Sequence, residues 1–450
     1  MPTTFNIRDY GAIGDGITND ARAIQAAVNA CEENGGGTVL IPAGSTYLSG
    51  SLVLASHVEL HVERGATLQA SGDWADITER STVSALSSGV VTGESQESGQ
   101  FITARGATNL AITGAGTIDG GGRHYILEDL GAIYRMPVSR PFAVFLIDCT
   151  EVSLSDTLYR DGALWTVRLT GCENVRIHGI RIDGDMKMPN ADGIDLDHCR
   201  NVRISDCNIR CPDDGISLKT CEEFPDAGPC ENIVVTNCVI ETRSSALVVG
   251  VDALDPIRNV VFDNCVIKTS HRGLSVNMGQ ASMYENILFS NIVIETQIFD
   301  DAWWGRGEPI YISAMPWHDE VGQVHNVRFV NILAKGENGV YIEALRPGLI
   351  DGILLDNVRV EVDKWGDERG GRYDRRPYTS GEDIFDHPTT AFYIANASNV
   401  TVRNCEAVWG ANRQEYFGAA LETINVEDLI VEGFVGDSAF PDHIPAQLHH

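Results

Sequence analysis

The sequence is poor in positive charge: 33 Lys and Arg stand against 63 Asp and Glu, a net charge of 33 − 63 = −30. A chain this acidic excludes nucleic acid as an obvious partner, because phosphate backbones are held by clustered Lys and Arg. An anionic membrane surface is disfavoured for the same reason, and no apolar run reaches the roughly 18 residues of a membrane span. Aromatic residues are only 7% of the chain, which beside 45 Gly argues against a helical bundle. No His/Cys spacing suggests zinc, and no cofactor is expected. The opening MPTTFNIRDYGAIGDG lacks a basic segment followed by an apolar one, so a cytoplasmic location is expected, with secretion after signal removal as the alternative. The 11 cysteines are dispersed and sit in recurring settings such as Asn237-Cys238, Asn264-Cys265 and Asn404-Cys405. That pattern predicts buried free thiols rather than a disulfide framework.

What the sequence does have is an internal repeat. Glu173-Asn-Val-Arg-Ile, Arg200-Asn-Val-Arg-Ile, Glu231-Asn-Ile-Val-Val, Arg258-Asn-Val-Val-Phe and Glu285-Asn-Ile-Leu-Phe follow one another, and their asparagines are 27, 31, 27 and 27 positions apart. Later copies begin at His325 and Ser398. A period of this size marks a solenoid. Each copy reads as short alternating strands around an Asn or Asp turn, too short for helical crossovers, so strands stack on strands in an all-β parallel β-helix. One coil cannot bury its Val/Ile/Leu face alone. Asn at equivalent turns tolerates the left-handed conformation and can bond to its copy in the next coil.

Before the repeats, Asn19 and Asp20 precede Ala23, Ile24, Ala27, Val28 and Cys31 at helical spacing, and Gly35-Gly36-Gly37 follows. This predicts a short capping helix within a cap region spanning 1–50. The stretches 71–100 and 361–390 break the rhythm and read as long loops leaving the wall. With no linker visible, residues 1–450 are expected to form a single domain.

Three acids break the pattern. Asn190-Ala-Asp192-Gly-Ile-Asp195 occupies the turn-to-strand position of one coil, and Cys211-Pro-Asp213-Asp214-Gly-Ile-Ser-Leu-Lys219 the same position of the next. Asp192 and Asp213 are 21 positions apart, and equivalent positions of stacked coils lie about 4.8 Å apart. Carboxylates gathered in this way suit glycosidic cleavage, in which one acid protonates the leaving oxygen and another activates water or attacks carbon. Turn acids or a Ca²⁺ site are the competing reading.

These residues resemble the polygalacturonase-like glycoside hydrolases of family 28, right-handed parallel β-helices of the pectin-lyase-like superfamily. The likeness runs from Asp9-Tyr-Gly-Ala-Ile-Gly-Asp-Gly through Gly114-Ala-Gly-Thr-Ile-Asp-Gly and Trp165 into the coils. The family's Asn-x-Asp-Gly motif corresponds to Asn190-Ala-Asp192-Gly193, and its Asp-Asp motif to Asp213-Asp214. The resemblance implies an inverting hydrolase in which Asp213 donates the proton and Asp192 and Asp214 position and deprotonate water. Two motifs depart. The family's Gly-His-Gly falls near Ser244-Ser245-Ala246, without a histidine. Its Arg-Ile-Lys, which holds the galacturonate carboxylate, falls near Ser275-Val276-Asn277, without either cation. Unsubstituted polygalacturonan is therefore in doubt as substrate.

Arg243, His271 and Arg272 lie in the same two coils as possible replacements. Asp301-Ala-Trp303-Trp304-Gly-Arg306-Gly-Glu308 adds two adjacent indoles suited to stacking on sugar rings and an acceptor for sugar hydroxyls. Asn190, Lys219 and Asn277 complete the substrate-binding candidates, with His178 and His318 weaker ones. The expected partner is a pectic or related carbohydrate. Loops that close one end of the groove favour attack from a chain end. A β-helical lyase acting on a uronate polymer, with Arg243 or Arg272 as base, and a non-catalytic carbohydrate-binding solenoid are the alternatives.

Overall fold

The computed structural model describes residues 3–82, 91–92, 97–317 and 319–450; His318 and parts of the 71–100 stretch fall outside them. The chain divides into two compact units, Met1–Asp213 with Glu223–Ala227, and Asp214–Glu222 with Gly228–His450. As the repeat predicts, the fold is all-β, a right-handed parallel β-helix.

In the first unit, Gly37–Ile41, Val58–Val62, Thr108–Thr113, Thr150–Ser155, Glu173–His178 and Arg200–Ser205 pair in parallel, coil on coil. Strict register stacks Val152 on Val175 on Val202, and Leu154 on Ile177 on Ile204. These side chains are at most 2% exposed and form the apolar interior. A second ladder, which carries the acids, runs through Glu97–Arg105, Pro141–Ile147, Val167–Thr170 and Ile194–Asp197. The capping helix is Ala21–Glu33, and it buries Ala23, Ile24, Ala27, Val28 and Cys31. Asn19 Oδ1 accepts from the Ala21 N–H at 3.0 Å, while Asp20 makes no side-chain cap bond to the helix. The 71–100 stretch is less of a loop than expected: Glu79–Thr82 pairs antiparallel with the start of Glu97–Arg105.

In the second unit, Cys230–Thr236, Ile257–Asp263, Met283–Thr296, Gln323–Gly336, Ile350–Val362 and Ala397–Arg403 form the equivalent ladder. Phe262, Phe289 and Phe329 stack along its interior at ring separations of 4.8 and 5.0 Å. The repeat asparagines take left-handed φ, 60° at Asn232, 57° at Asn259 and 59° at Asn286. They form an exposed amide ladder, Asn259 to Asn232 at 3.1 Å and Asn286 to Asn259 at 3.3 Å. The 361–390 stretch contains a two-stranded antiparallel hairpin, Arg372–Asp374 with Ile384–Asp386. All 11 cysteines are buried and none forms a disulfide.

Candidate active site

In the first unit, the buried strand Ile194–Asp197 lies in parallel register with Val167–Thr170. The turn leading into it is tied to that neighbour by two backbone bonds. Thr166 N–H donates to the Asp192 carbonyl at 2.9 Å, and Val167 N–H to the Gly193 carbonyl at 3.1 Å. Asn190 stands at φ 56°, a left-handed geometry Asn tolerates better than most residues. That geometry aims its backbone N–H at Asp213 Oδ2, 2.9 Å away. Carboxylate oxygens of Asp192 and Asp213 come within 4.8 Å of one another. Asp192 is 3% exposed and Asp213 is half-buried. Two carboxylates this close repel when both are ionised, which is the arrangement acid/base chemistry exploits. An acidic pair alone does not make a cation site, and acid/base cleavage of a glycosidic bond needs no cation.

The sequence does not single out two buried arginines of this unit, Arg140 and Arg168. Arg140 donates to Asn190 Oδ1 and to neighbouring carbonyls. Arg168 lies 4.7 Å from the Phe145 and Trp165 ring centroids and bonds Asp197 at 2.8 Å. A lone Arg within an apolar stretch, as in Ser139-Arg-Pro-Phe-Ala-Val, was the available signal. His178 bonds Ser205 at 3.1 Å and Asp206 at 3.3 Å, a local surface role.

Asp214, bonded to Asp213, opens the second unit. Its Oδ1 accepts from Ser244 Oγ at 2.9 Å and from the Ser245 N–H at 3.2 Å. These are the residues standing where the motif histidine is missing. Ser245 registers on Arg272 and Arg272 on Glu308 along neighbouring strands.

Of the candidate cations of this unit, Lys219, His271 and Arg272 are buried, while Arg243 is half-buried. Arg272 is 1% exposed. It faces Asp374 Oδ2 at 3.5 Å and Glu308 at 4.0 Å, and stacks 3.7 Å from the Tyr311 ring centroid. His271 is fully buried and its Nε2 accepts from the Phe299 N–H at 3.2 Å. Burial first, then Arg306, holds its pKa well below the usual imidazole range. Lys219 pairs with Asp252 at 3.4 Å, and Arg243 lies 4.1 Å from the Phe299 ring centroid.

The hairpin contributes two further arginines, each paired with an acid. Arg375 forks onto Glu343 at 2.7 and 2.6 Å, and Arg376 onto Asp374 at 3.0 and 2.8 Å. Burial raises the Asp374 carboxyl, but Arg272 and Arg376 outweigh it and leave its pKa at about 2. Glu308 is fully buried, and burial pushes it up to about 7 against the pull of Arg272. Asn277 donates to the Arg376 carbonyl at 3.4 Å and accepts from Ser313 Oγ at 2.9 Å. Trp303 is 4% exposed, whereas Trp304 is half-buried and meets Trp317 edge-on at 6.4 Å.

The fold and the paired acids define the class, a parallel β-helical protein with an acidic turn repeated on its wall. The model described as glycosyl hydrolases family 28 matches residues 31–299, more than half of the sequence, and the chain belongs to that family. It is 33% identical over 219 residues to a probable polygalacturonase of Vitis vinifera, covering 47% of this chain and 43% of the relative. It is 34% identical over 217 residues to an endo-polygalacturonase of Pectobacterium carotovorum subsp. carotovorum, covering 44% and 50%. The matches thus span half or less of these relatives.

Among solved structures, the family 28 exopolygalacturonase of Yersinia enterocolitica aligns with a TM-score of 0.68 at 18% identity, over 95% of this chain and 78% of that one. The hyperthermoactive exopolygalacturonase of Thermotoga maritima aligns at 0.62 and 19%, over 96% and 92%. At these identities the structural likeness concerns the fold.

Proposed function

We propose that the protein is a glycoside hydrolase that cleaves the O-glycosidic bond of a pectic or related oligo- or polysaccharide, with Asp213 as general acid and Asp192 and Asp214 handling the attacking water. The observation that carries this reading is the Asp192–Asp213 approach within 4.8 Å, with the Asn190 N–H on Asp213 Oδ2. The donor at Oδ2 favours the transferable proton of Asp213 on its other oxygen. Asp192 then accepts a proton from water as it attacks. Ser244 and Ser245 hold Asp214 in a single orientation.

Inversion is the outcome implied by the family resemblance. The oxygen separation is shorter than the about 6.5–9.5 Å between the carboxyl groups of typical inverting pairs. On this reading the water sits beside the two acids rather than across a sugar ring between them.

For the substrate, the relevant feature is charge compensation. Ser275 and Asn277 replace a cationic clamp, and Arg272, Arg375 and Arg376 are each matched by Asp374, Glu308 or Glu343. This supports a bound sugar that is neutral or whose carboxylate is masked. Attack from a chain end is part of the same proposal.

Reducing-end release from a panel of pectic, arabinogalactan and neutral oligosaccharides, with Asp213→Asn alongside, tests the reading. Activity that the variant lacks supports it. Ultraviolet-absorbing unsaturated products would point to a lyase, and binding without turnover to a carbohydrate-binding solenoid.

A further inference from the structure

Behind the acid turn of the first unit stands an arginine that no sugar reaches. Arg140 is fully buried and immediately precedes the buried strand Pro141–Ile147. Its Nη1 donates to the carbonyls of Ala163 at 3.0 Å and Pro189 at 2.6 Å, and its Nη2 to Asn190 Oδ1 at 2.9 Å. Pro189 and Asn190 are the residues whose turn delivers Asp192. The remaining nitrogen, Nε, is buried without a hydrogen-bond partner.

Withdrawing a guanidinium from water costs several kcal/mol, and three neutral acceptors do not cancel its charge. The charged groups facing it are Asp213 and Asp192. Burial lowers its pKa to about 9, while the two acids oppose that fall. A purely mechanical clamp needs the hydrogen bonds but no charge, and a neutral amide would cost far less to bury. The presence of both the fork and the charge calls for a role that uses both.

We propose that Arg140 is a positioning residue for the acid pair: its fork locks Asn190 in the left-handed turn that aims the backbone N–H at Asp213 Oδ2, and its fixed positive charge prevents Asp192 and Asp213 from both being protonated. This rests on reading Asp192 and Asp213 as the catalytic acids. The fork is planar and bidentate toward the turn, which lysine cannot reproduce. Geometry and charge are therefore separable by substitution.

The test is a ¹³C-aspartate NMR titration of the full chain with and without Arg140→Gln and Arg140→Lys, assigned through Asp192→Asn and Asp213→Asn, beside pH–rate profiles. In Arg140→Gln the titration of the pair moves up by about one pH unit, and turnover falls about 100-fold with KM little changed. Arg140→Lys keeps the titration near its wild-type position but still loses turnover, because the Asn190 turn is no longer held by a fork. An unmoved titration in Arg140→Gln, or wild-type turnover in Arg140→Lys, overturns the proposal. Should Arg140→Gln not fold, Arg140→Met takes its place in the titration, and that readout does not depend on any substrate being turned over. Full activity in Asp213→Asn would instead remove the catalytic reading of the pair while leaving the titration result to stand by itself.

Discussion

Ser244 Oγ donates a 2.9 Å hydrogen bond to Asp214 Oδ1, and the next residue adds its backbone N–H at 3.2 Å. The Ser244-Ser245 turn thus orients an acid with a hydroxyl and a backbone amide. Ser244→Ala removes one of the two bonds to a carboxylate, worth about 1.5–3 kcal/mol when the acceptor is charged. Because the Ser245 N–H remains, turnover is expected to fall about tenfold with the thermal midpoint nearly unchanged. Steady-state kinetics beside a thermal melt checks this. Wild-type turnover would show that the orientation of Asp214 is immaterial.

Asp213→Asn removes the donatable proton and almost no volume, and its amide oxygen still accepts from the Asn190 N–H. General acid catalysis contributes about 10²–10⁴-fold, so turnover should drop by that factor while the fold persists. Asp192→Asn should be comparably severe through lost activation of water. Circular dichroism together with kinetics separates loss of chemistry from loss of structure.

The coils were legible because a solenoid writes its period directly into the chain. Asn174, Asn201, Asn232, Asn259 and Asn286 mark equivalent turns, and Val152, Val175 and Val202 mark one interior row. The acid turns were legible for the same reason, since Asp192-Gly-Ile and Asp214-Gly-Ile enter equivalent strands. What escaped depends on contacts the period does not encode. Arg272 meets Asp374 across 102 positions, through a hairpin whose Arg, Asp and Gly content reads as an irregular loop. Arg140 reaches Asn190 across 50 positions, a partner its apolar surroundings in the sequence do not name. Arg272 and His271 read as possible replacement cations, but Arg272 is taken up by Asp374 and Glu308 and His271 is buried against Phe299.

The amide ladder makes a prediction that separates conformation from hydrogen bonding. Asn259 holds φ 57° and bonds both Asn232 and Asn286. Asn259→Ala loses the bonds and also pays the left-handed penalty of about 1–2 kcal/mol, whereas Asn259→Gly loses the bonds alone. Urea unfolding should therefore rank wild type above Gly and Gly above Ala. Equal stability of the two variants would mean that the backbone conformation costs nothing here.

Glu308 gives the second unit a pH dependence whose sign is fixed by its burial. The folded pKa is raised from 4.5 to about 7, so above 4.5 the unfolded chain releases a proton that the folded chain retains. Stability from this group is fully present below the unfolded pKa and is lost as pH rises to the folded one. Asp374 acts oppositely: its pKa falls from 3.8 to about 2, so its contribution is present above 3.8 and lost as pH drops through about 2. Glu308→Gln keeps the shape and removes the ionisation. Between pH 4.5 and about 7, the thermal midpoint of the wild type should decline relative to this variant. Parallel midpoints across that window would show that Glu308 does not retain its proton.

The stereochemical outcome is the sharpest test of how the acids cooperate. Asp192 and Asp213 approach within 4.8 Å, a spacing that on general grounds fits a retaining pair better than an inverting one. A retaining mechanism would require one acid to attack the anomeric carbon directly. Asp213 is poorly suited to that, because Asn190 already occupies Oδ2 and Oδ1 is needed to carry the proton. Asp192 is 3% exposed, which suits gripping a small water better than reaching a sugar carbon. The first-formed product should therefore carry the anomeric configuration opposite to that of the substrate bond, read by proton NMR before mutarotation sets in. Retained configuration, with a trapped glycosyl ester on Asp192, would reassign that residue from activating water to attacking carbon.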